Sequence, residues 1–519
     1  MTPRVRWIVS VFAIIVFVAA SINALPSPED NVELTLDQRR LQTSLIDAPS
    51  VNLHVTLKRK FMKIHGQSEF DVFANPVVST DKGSVLYNGY ATFVEEDTQF
   101  KYVLLDAVEP FDSILPALNE ATRIPSVSLG GETVECSSGD LFKTSFGGAN
   151  FALCASGGNG FTAFSSDMTI AVEYLDKPVS ISKPQLSDKS ASCSTVETAT
   201  LVTPTAIALL TGKPIPPNTS RNLKTAEHMA MEASTCECKS TPRPCIFFHG
   251  IGNKKEKAEL QDKPCARMGS IGDHAPCCST VKYAWLDTID YSWTNDTIQE
   301  KLCGHALSMS ESSDLSSATI DDTIIVTHSM GGLVMSAALA SGKCRFGPGT
   351  SWVAVSSPMT GSMTADYAQD VYNDELGTIT VDMLDVIGQC PIAASRRSLL
   401  YEGEKYTSEE LNTAYVAAQE AYRGNVTAAM CSNNYVGVIS VYQWMFILTG
   451  KIVHHKYPEN DGLVEFQSCA KGLDSSLFGT SYTDQFYIPE LNHADTAFMT
   501  SDGWFKDSQK PFKWFECLL

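Results

Sequence analysis

Ser329 stands in the stretch "DDTIIVTHSMGG", residues 321–332, between an apolar run and a segment patterned as a helix. Ile324, Ile325 and Val326 are β-branched, the composition of a strand buried in a parallel sheet. Beyond the serine, Leu333, Val334, Ala337, Ala338 and Leu339 recur at helical spacing, and Gly342 is placed to end that helix. A strand, a sharp turn and a helix around one serine would hold its hydroxyl out at the carboxyl edge of a sheet. The helix N-terminus beneath it favours developing negative charge. The chemistry this permits is attack on a carbonyl carbon. That reaction needs a base, a group to orient the base, and N–H donors for the oxyanion. Small residues two before and two after the serine let strand and helix approach: Gly331 meets the need fully, Thr327 less well.

The donors are expected roughly 80 residues upstream, in "RPCIFFHGIGNKKE". Cys245 to Phe248 reads as an apolar strand, and His249, Gly250, Ile251 and Gly252 follow at its end. Glycines there let backbone N–H groups turn into a site, so the oxyanion hole is assigned to the amides of Ile251 and Met330. His249, Gly250 and Gly252 support that loop.

The base is assigned to His493, on a polar turn in "IPELNHADTAF", and the orienting acid to Asp461, in "KYPENDGLVEF". Asp461 is preferred to Glu459 because the Asn-Asp-Gly turn would set its carboxylate at the end of a strand through Ile452 and Val453. Asp495 is too near His493 in sequence for the usual geometry. Among the other histidines, His249 belongs to the oxyanion turn and His328 should diverge from the serine on a tight turn. His454 and His455 lie on the expected strand before the acid, where a metal-ligand reading is possible but not preferred. No cofactor and no metal is expected.

These residues need a sheet to position them. From 241 to 519 strand-like and helix-like segments alternate, the pattern of a parallel α/β domain. The segment 364–434, with helical "SEELNTAYVAAQEAYRG", exceeds a simple connection and is read as a cap or lid, with structural packing as the alternative. Val436 to Leu448 is apolar but too short to span a bilayer and is read as a buried helix. Residues 51–180 show short alternating runs between Gly- and Asn-rich turns, as in an antiparallel β domain, with no recognisable chemistry. "GGNGF" at 157–161 lacks the frame of a phosphate loop and reads as a turn. Residues 181–240, rich in Ser, Thr, Pro and Lys, form the expected linker, interrupted by helix-like "TAIALL".

Arg4 and Arg6, the apolar run Trp7 to Ala20 and small residues to Ala24 read as a signal peptide over 1–24, followed by a flexible leader over 25–50. Export fits the 15 cysteines, spread from Cys136 to Cys517, which are expected to form disulfides. The one local pairing proposed is Cys136 with Cys154, and the odd count leaves a thiol over. Cys236-x-Cys238 lacks zinc-ligand spacing. Asn218, Asn295 and Asn425 head glycosylation sequons. A net charge of -20, from 59 acidic against 39 basic residues, argues against a nucleic-acid partner, since phosphate binding needs a basic surface.

"HSMGG", "FFHGIGN", "NDGLV" and "LNHADT", in that order, resemble the nucleophile, oxyanion, acid and histidine segments of the α/β-hydrolase superfamily, and within it of secreted lipases. "WVAVSSPMTGS" at 352–362 resembles the strand and turn after the nucleophile helix. The resemblance covers roughly 241–519. It departs at Thr327, where glycine is usual, and at Met359, where many relatives carry histidine. It implies a mostly parallel central sheet with a cap or lid insertion, and the separate β-rich N-terminal domain before it is read from residues 51–180 alone. It further implies a secreted carboxylic ester hydrolase that forms an acyl-enzyme on Ser329, acting on lipid or other esters with transient contact to a lipid interface. Bacterial relatives bind calcium through an aspartate at the position of Asp495, but here no acid occurs between Glu420 and Glu459 to partner it. Two alternatives stay open: a thioesterase or acyltransferase using the same groups, and an inactive hydrolase scaffold that binds a partner through the β domain.

Overall fold

The computed structural model describes residues 49–519 apart from 60–61, 63–66, 79–84, 96–97, 105–113, 138–139, 147–148, 181–202, 212–213, 215–227, 232–234, 373–391, 439, 441 and 504–505. The expected signal peptide, nearly all of the leader and much of the linker fall outside the described residues. The chain divides into two compact units, Met1–Ser234 with Trp504–Lys506, and Thr235–Gly503 with Asp507–Leu519.

The first unit is built on a nine-stranded sheet. From edge to edge it runs Thr98–Leu104, Val85–Glu95, Glu69–Val78, Ser50–Leu57, Met168–Leu175, Gly160–Phe164, Ala149–Ala155, Leu141–Phe146 and Thr122–Ile124. Its pairings are antiparallel. In Ser50–Leu57, Val55 and Leu57 turn inward while His54 is exposed, the two-residue period of a half-buried strand. Cys136 and Cys154 are bonded, as their short separation predicts. "GGNGF" is a short turn leading into a strand, and Pro204–Thr211, around "TAIALL", is a helix.

The second unit holds a seven-stranded sheet in the order Cys278–Ala284, Arg243–Phe248, Ile324–His328, Ser351–Val355, Ala428–Met430, Phe486–Tyr487 and Phe478–Gly479. Every pairing in it is parallel. Phe247 lies opposite Val326, and Val326 opposite Val353. All five residues of Ile324–His328 are buried, because both faces of the sheet are covered. Ile246, Phe248, Ile325 and Trp352 pack on one face with Trp293, Leu302, Leu333, Tyr415 and Tyr422 from three helices and the loop before them. Phe247 turns to the other face, where its ring meets Tyr283, Phe498 and Phe515.

That burial decides which segments become helices. Met330–Ala340 contains Gly331 and Gly332, each about 1 kcal/mol worse than alanine in a helix. Burial of Leu333, Val334 and Met335 outweighs this, at roughly 1.5–3 kcal/mol per side chain. The helix ends as its sequence predicts: the N–H groups of Gly342 and Lys343 return to the carbonyls of Leu339 and Ala338, with Gly342 at φ 68°.

Two expectations need revision. Within 364–434, the helix Glu409–Asn425 buries Tyr415, Ala418 and Tyr422 in the core, and Ala428–Met430 is a strand of the sheet. That part of the segment belongs to the core; residues 373–391 lie outside the described residues. Ile452 and Val453 do not form a strand. Ile452 is the last residue of the helix Gln443–Ile452, and the Val453 N–H closes it onto Thr449. Two β-branched residues are too short a run to override the apolar helical segment before them.

Five further disulfides staple this unit: Cys236–Cys517, Cys238–Cys277, Cys245–Cys278, Cys303–Cys344 and Cys431–Cys469. Cys265 is free and buried.

Candidate active site

Ser329 follows the strand Ile324–His328 at φ 54° and ψ -131°, a conformation that disfavours any residue but glycine and stores on the order of 1–3 kcal/mol of strain. Main-chain bonds hold it there. Its N–H donates to Val355 O at 2.9 Å, and its carbonyl accepts from Gly332 N–H at 3.0 Å. Close approach of the turn to the loop after Arg243–Phe248 falls on Gly331, where a Cβ would stand 2.8 Å from His249 O. Thr327 is tolerated because its hydroxyl accepts from Trp352 Nε1–H at 2.9 Å, within the core.

The loop after Arg243–Phe248 lies against the serine. A Cβ on Gly250 would come within 2.6 Å of Ser329 Cβ and 3.0 Å of its Oγ. Asn253 anchors the far end of the loop through Nδ2–H bonds to the carbonyls of Lys255 and Leu286, at 2.6 and 2.9 Å. His249 is buried, and Leu286 N–H donates to its Nε2 at 3.2 Å. Nε2 is therefore the acceptor, and Nδ1–H donates to Gly250 O at 2.8 Å. Burial pushes this imidazole down to about 4, so it is neutral at ordinary pH. Among the described residues neither Ile251 N–H nor Met330 N–H has an acceptor. Met330 opens its helix, so its N–H has no intrahelical partner.

His493 begins the short helix His493–Thr496. Asn492 caps that helix by accepting from the N–H groups of Ala494 and Asp495, and the Asp495 side chain accepts from Asn492 N–H in return. The cap fixes the direction of the imidazole. His493 N–H donates to Asp461 O at 2.9 Å, and its Nδ1 lies 2.7 Å from Asp461 Oδ2. The other carboxylate oxygen accepts from Leu463 and Val464 N–H at 3.0 and 2.8 Å. An ionised carboxylate only accepts, which assigns the proton to Nδ1 and leaves Nε2 with a lone pair. Asp461 thus sits in a self-bonded turn rather than at a strand end.

His328 is the residue the sequence reading missed. Its ring stands 4.6 Å from the His493 ring, and its Nε2–H donates to His493 O at 3.2 Å. Burial, with the neighbouring His493, lowers its pKa well below the usual histidine value. His328 links the Ser329 turn to the His493 helix, and a second link runs from Ser356 Oγ–H to Thr496 Oγ1 at 2.9 Å. Ser329 Oγ makes no hydrogen bond to any described residue. The structure therefore joins His493 to Asp461 directly, Ser329 to Gly250 by contact, and the serine turn to His493 through His328.

The carboxyl of Asp495 is pushed up to about 7 by burial, opposed by donors from Val438, Thr500 and Asn492. His455 pairs through Nδ1 with the buried Glu465 at 2.7 Å. Among the described residues no group of three or more His, Cys, Asp or Glu side chains is placed to hold a metal ion.

No family model and no curated protein matches the chain. Among solved structures it is similar to the mature lipase of Bacillus licheniformis, at 14% identity and TM-score 0.33 over 51% of this chain and 89% of that one. It is similar also to the lipase of Staphylococcus hyicus, at 11% and 0.29 over 54% and 95%. A metagenomic carboxyl esterase matches at 12% and 0.27 over 57% and 80%. These are lipase- and esterase-like likenesses at low identity, and they carry no activity or substrate over to this chain.

Proposed function

We propose that the second unit is an α/β-hydrolase and a serine hydrolase of carboxylic esters, lipid acyl esters foremost, acting through an acyl-enzyme on Ser329. The observation that carries the reading is the buried His493–Asp461 pair, whose bonding leaves Nε2 free to take a proton, in a residue whose backbone His328 ties to the strained serine turn. Rotation of the serine side chain on substrate binding would bring Oγ to Nε2, as catalytic hydrogen bonds commonly tighten in the complex. Nε2 then takes the hydroxyl proton as Oγ attacks the carbonyl carbon. Ile251 and Met330 N–H groups receive the oxyanion, each donor being worth about 2.7–4 kcal/mol in such sites. The imidazolium, stabilised by Asp461, returns its proton to the leaving alcohol. Water enters by the same route and releases the acid.

Six disulfides fit folding in an oxidising compartment, and we read the protein as secreted. No helix among the described residues is long and apolar enough to cross a membrane. Residues 51–180 carry no assigned chemistry.

A fluorophosphonate probe tests the assignment. Ser329 should be labelled in wild-type protein and not in folded Ser329→Ala, with p-nitrophenyl ester turnover lost in parallel. Labelling at a different serine, or undiminished turnover in Ser329→Ala, would overturn it.

A further inference from the structure

Among the described residues, Arg396 carries a charge that no carboxylate pairs. It lies in the short helix Ala394–Arg397, its Nη1 is buried without a hydrogen-bond partner, and it makes no ion pair among the described residues. The same helix leaves Ser395 Oγ buried and unpartnered. Burial, with the nearby Arg267 guanidinium, lowers Arg396 to about 10, so it stays cationic at neutral pH. Arg396 is half-buried, and a guanidinium nitrogen buried without an acceptor is unfavourable, so the group calls for a partner that binds.

Its place in the fold says where that partner sits. Ser395 N–H donates to Ile289 O at 3.3 Å. The next residue back, Thr288, accepts from Gly252 N–H at 3.3 Å and donates to Asn253 O at 2.8 Å. Gly252 belongs to the loop whose Gly250 lies against Ser329. Arg267 Nε–H reaches the same loop, donating to Gly252 O at 3.1 Å. Arg267 therefore bonds the loop directly and Arg396 lies close enough to feel the Arg267 charge, in a chain of net charge -20. A surface so acidic repels anions, and only a local cationic pair would admit one.

We propose that Arg396 and Arg267 form a subsite beside the oxyanion loop for an anionic oxyacid group, carboxylate or phosphate, carried by the ester substrate. The proposal rests on the hydrolase reading and narrows its substrate class. The planar guanidinium fork matches the paired oxygens of either group.

Two matched substrate pairs test it and separate the two sources of charge: mono-p-nitrophenyl adipate against p-nitrophenyl hexanoate, and dihexanoylglycerol phosphate against dihexanoylglycerol. Wild-type kcat/KM should favour the charged member of at least one pair by about tenfold or more, the size a charge-assisted hydrogen bond gives. In Arg396→Gln that ratio should fall to within about twofold of unity, with partial recovery in Arg396→Lys. Neutral members favoured in both pairs by wild-type protein would overturn the subsite. Binding of adipate and of inorganic phosphate to Ser329→Ala, measured by calorimetry, provides a readout independent of turnover. At least one should bind and weaken about tenfold on adding Arg396→Gln; binding of neither, or binding unmoved by that change, also overturns it. No turnover of any of the four substrates would strike the hydrolase reading instead, and the calorimetry would then decide the subsite alone.

Discussion

His249 sets the direction of the Gly250–Ile251 peptide. Its Nδ1–H holds Gly250 O at 2.8 Å while Leu286 N–H fixes the opposite ring nitrogen. A trans peptide points its carbonyl and the following N–H to opposite sides, so tying down Gly250 O turns Ile251 N–H away from His249. His249→Ala should therefore lower kcat for p-nitrophenyl esters by about 10- to 100-fold with little change in KM, since only the oxyanion donor is loosened. A rise in KM at constant kcat would assign His249 to substrate binding instead.

The same histidine makes stability depend on pH. Its folded pKa of about 4 lies below the ordinary 6.5, so the unfolded chain binds more protons between those values, and stability falls as pH drops through that window. The full effect is on the order of 3 kcal/mol. Asp495 acts in the opposite sense: its carboxyl, raised from 3.8 to about 7, removes stability as pH rises through that range. Urea unfolding separates them. The stability gap between wild type and His249→Gln should widen from pH 4 to 6.5, and that between wild type and Asp495→Asn should narrow from pH 4 to 7.

Gly250→Ala puts a methyl group 2.6 Å from Ser329 Cβ. The serine must shift, and a misplacement of about 1 Å costs near 100-fold in rate. Turnover should fall by at least that factor while circular dichroism stays native. An active variant would show that the loop yields at no cost to the chemistry.

Asp461→Asn preserves shape but replaces the acceptor that fixes the His493 tautomer. Ester turnover should drop about 10³- to 10⁴-fold at pH 7, as loss of the oriented tautomer does in serine hydrolases. Fluorophosphonate labelling should slow in proportion. A drop of less than tenfold would remove Asp461 from its role.

Much of the site is legible in the chain because its parts are local. The apolar strand, Ser329 and the helix after it lie within one continuous stretch, and Asn492, His493 and Asp495 form a cap within four residues. What escapes is set by contacts between distant segments. The acceptability of Thr327 depends on Trp352, from the next strand. His328 reads as diverging from the site, yet its ring reaches the backbone of His493, 165 residues on. Cys136–Cys154 spans 18 residues and can be guessed, whereas the bridges of the second unit join cysteines 33 to 281 apart that only the fold brings together. The Asn-Asp-Gly motif marks the turn that carries Asp461, while the strand expected before it is a helix end.

Cys431–Cys469 ties the strand Ala428–Met430 to the short helix Phe466–Cys469, downstream of Asp461. Replacing both cysteines by alanine frees a 38-residue span and should lower stability by about 2–5 kcal/mol. Measured in urea well below the new midpoint, turnover per folded molecule should hold. Unchanged stability would mean the bridge constrains nothing.

Cys236 and Cys517 are bonded across 281 residues, so the polypeptide between them is a closed covalent circle. A protease that nicks any one peptide bond inside that circle opens it without releasing a fragment. The nicked molecule would migrate as a single species on a non-reducing gel, and it would go on working wherever the cut falls clear of the serine, the histidine and their loops.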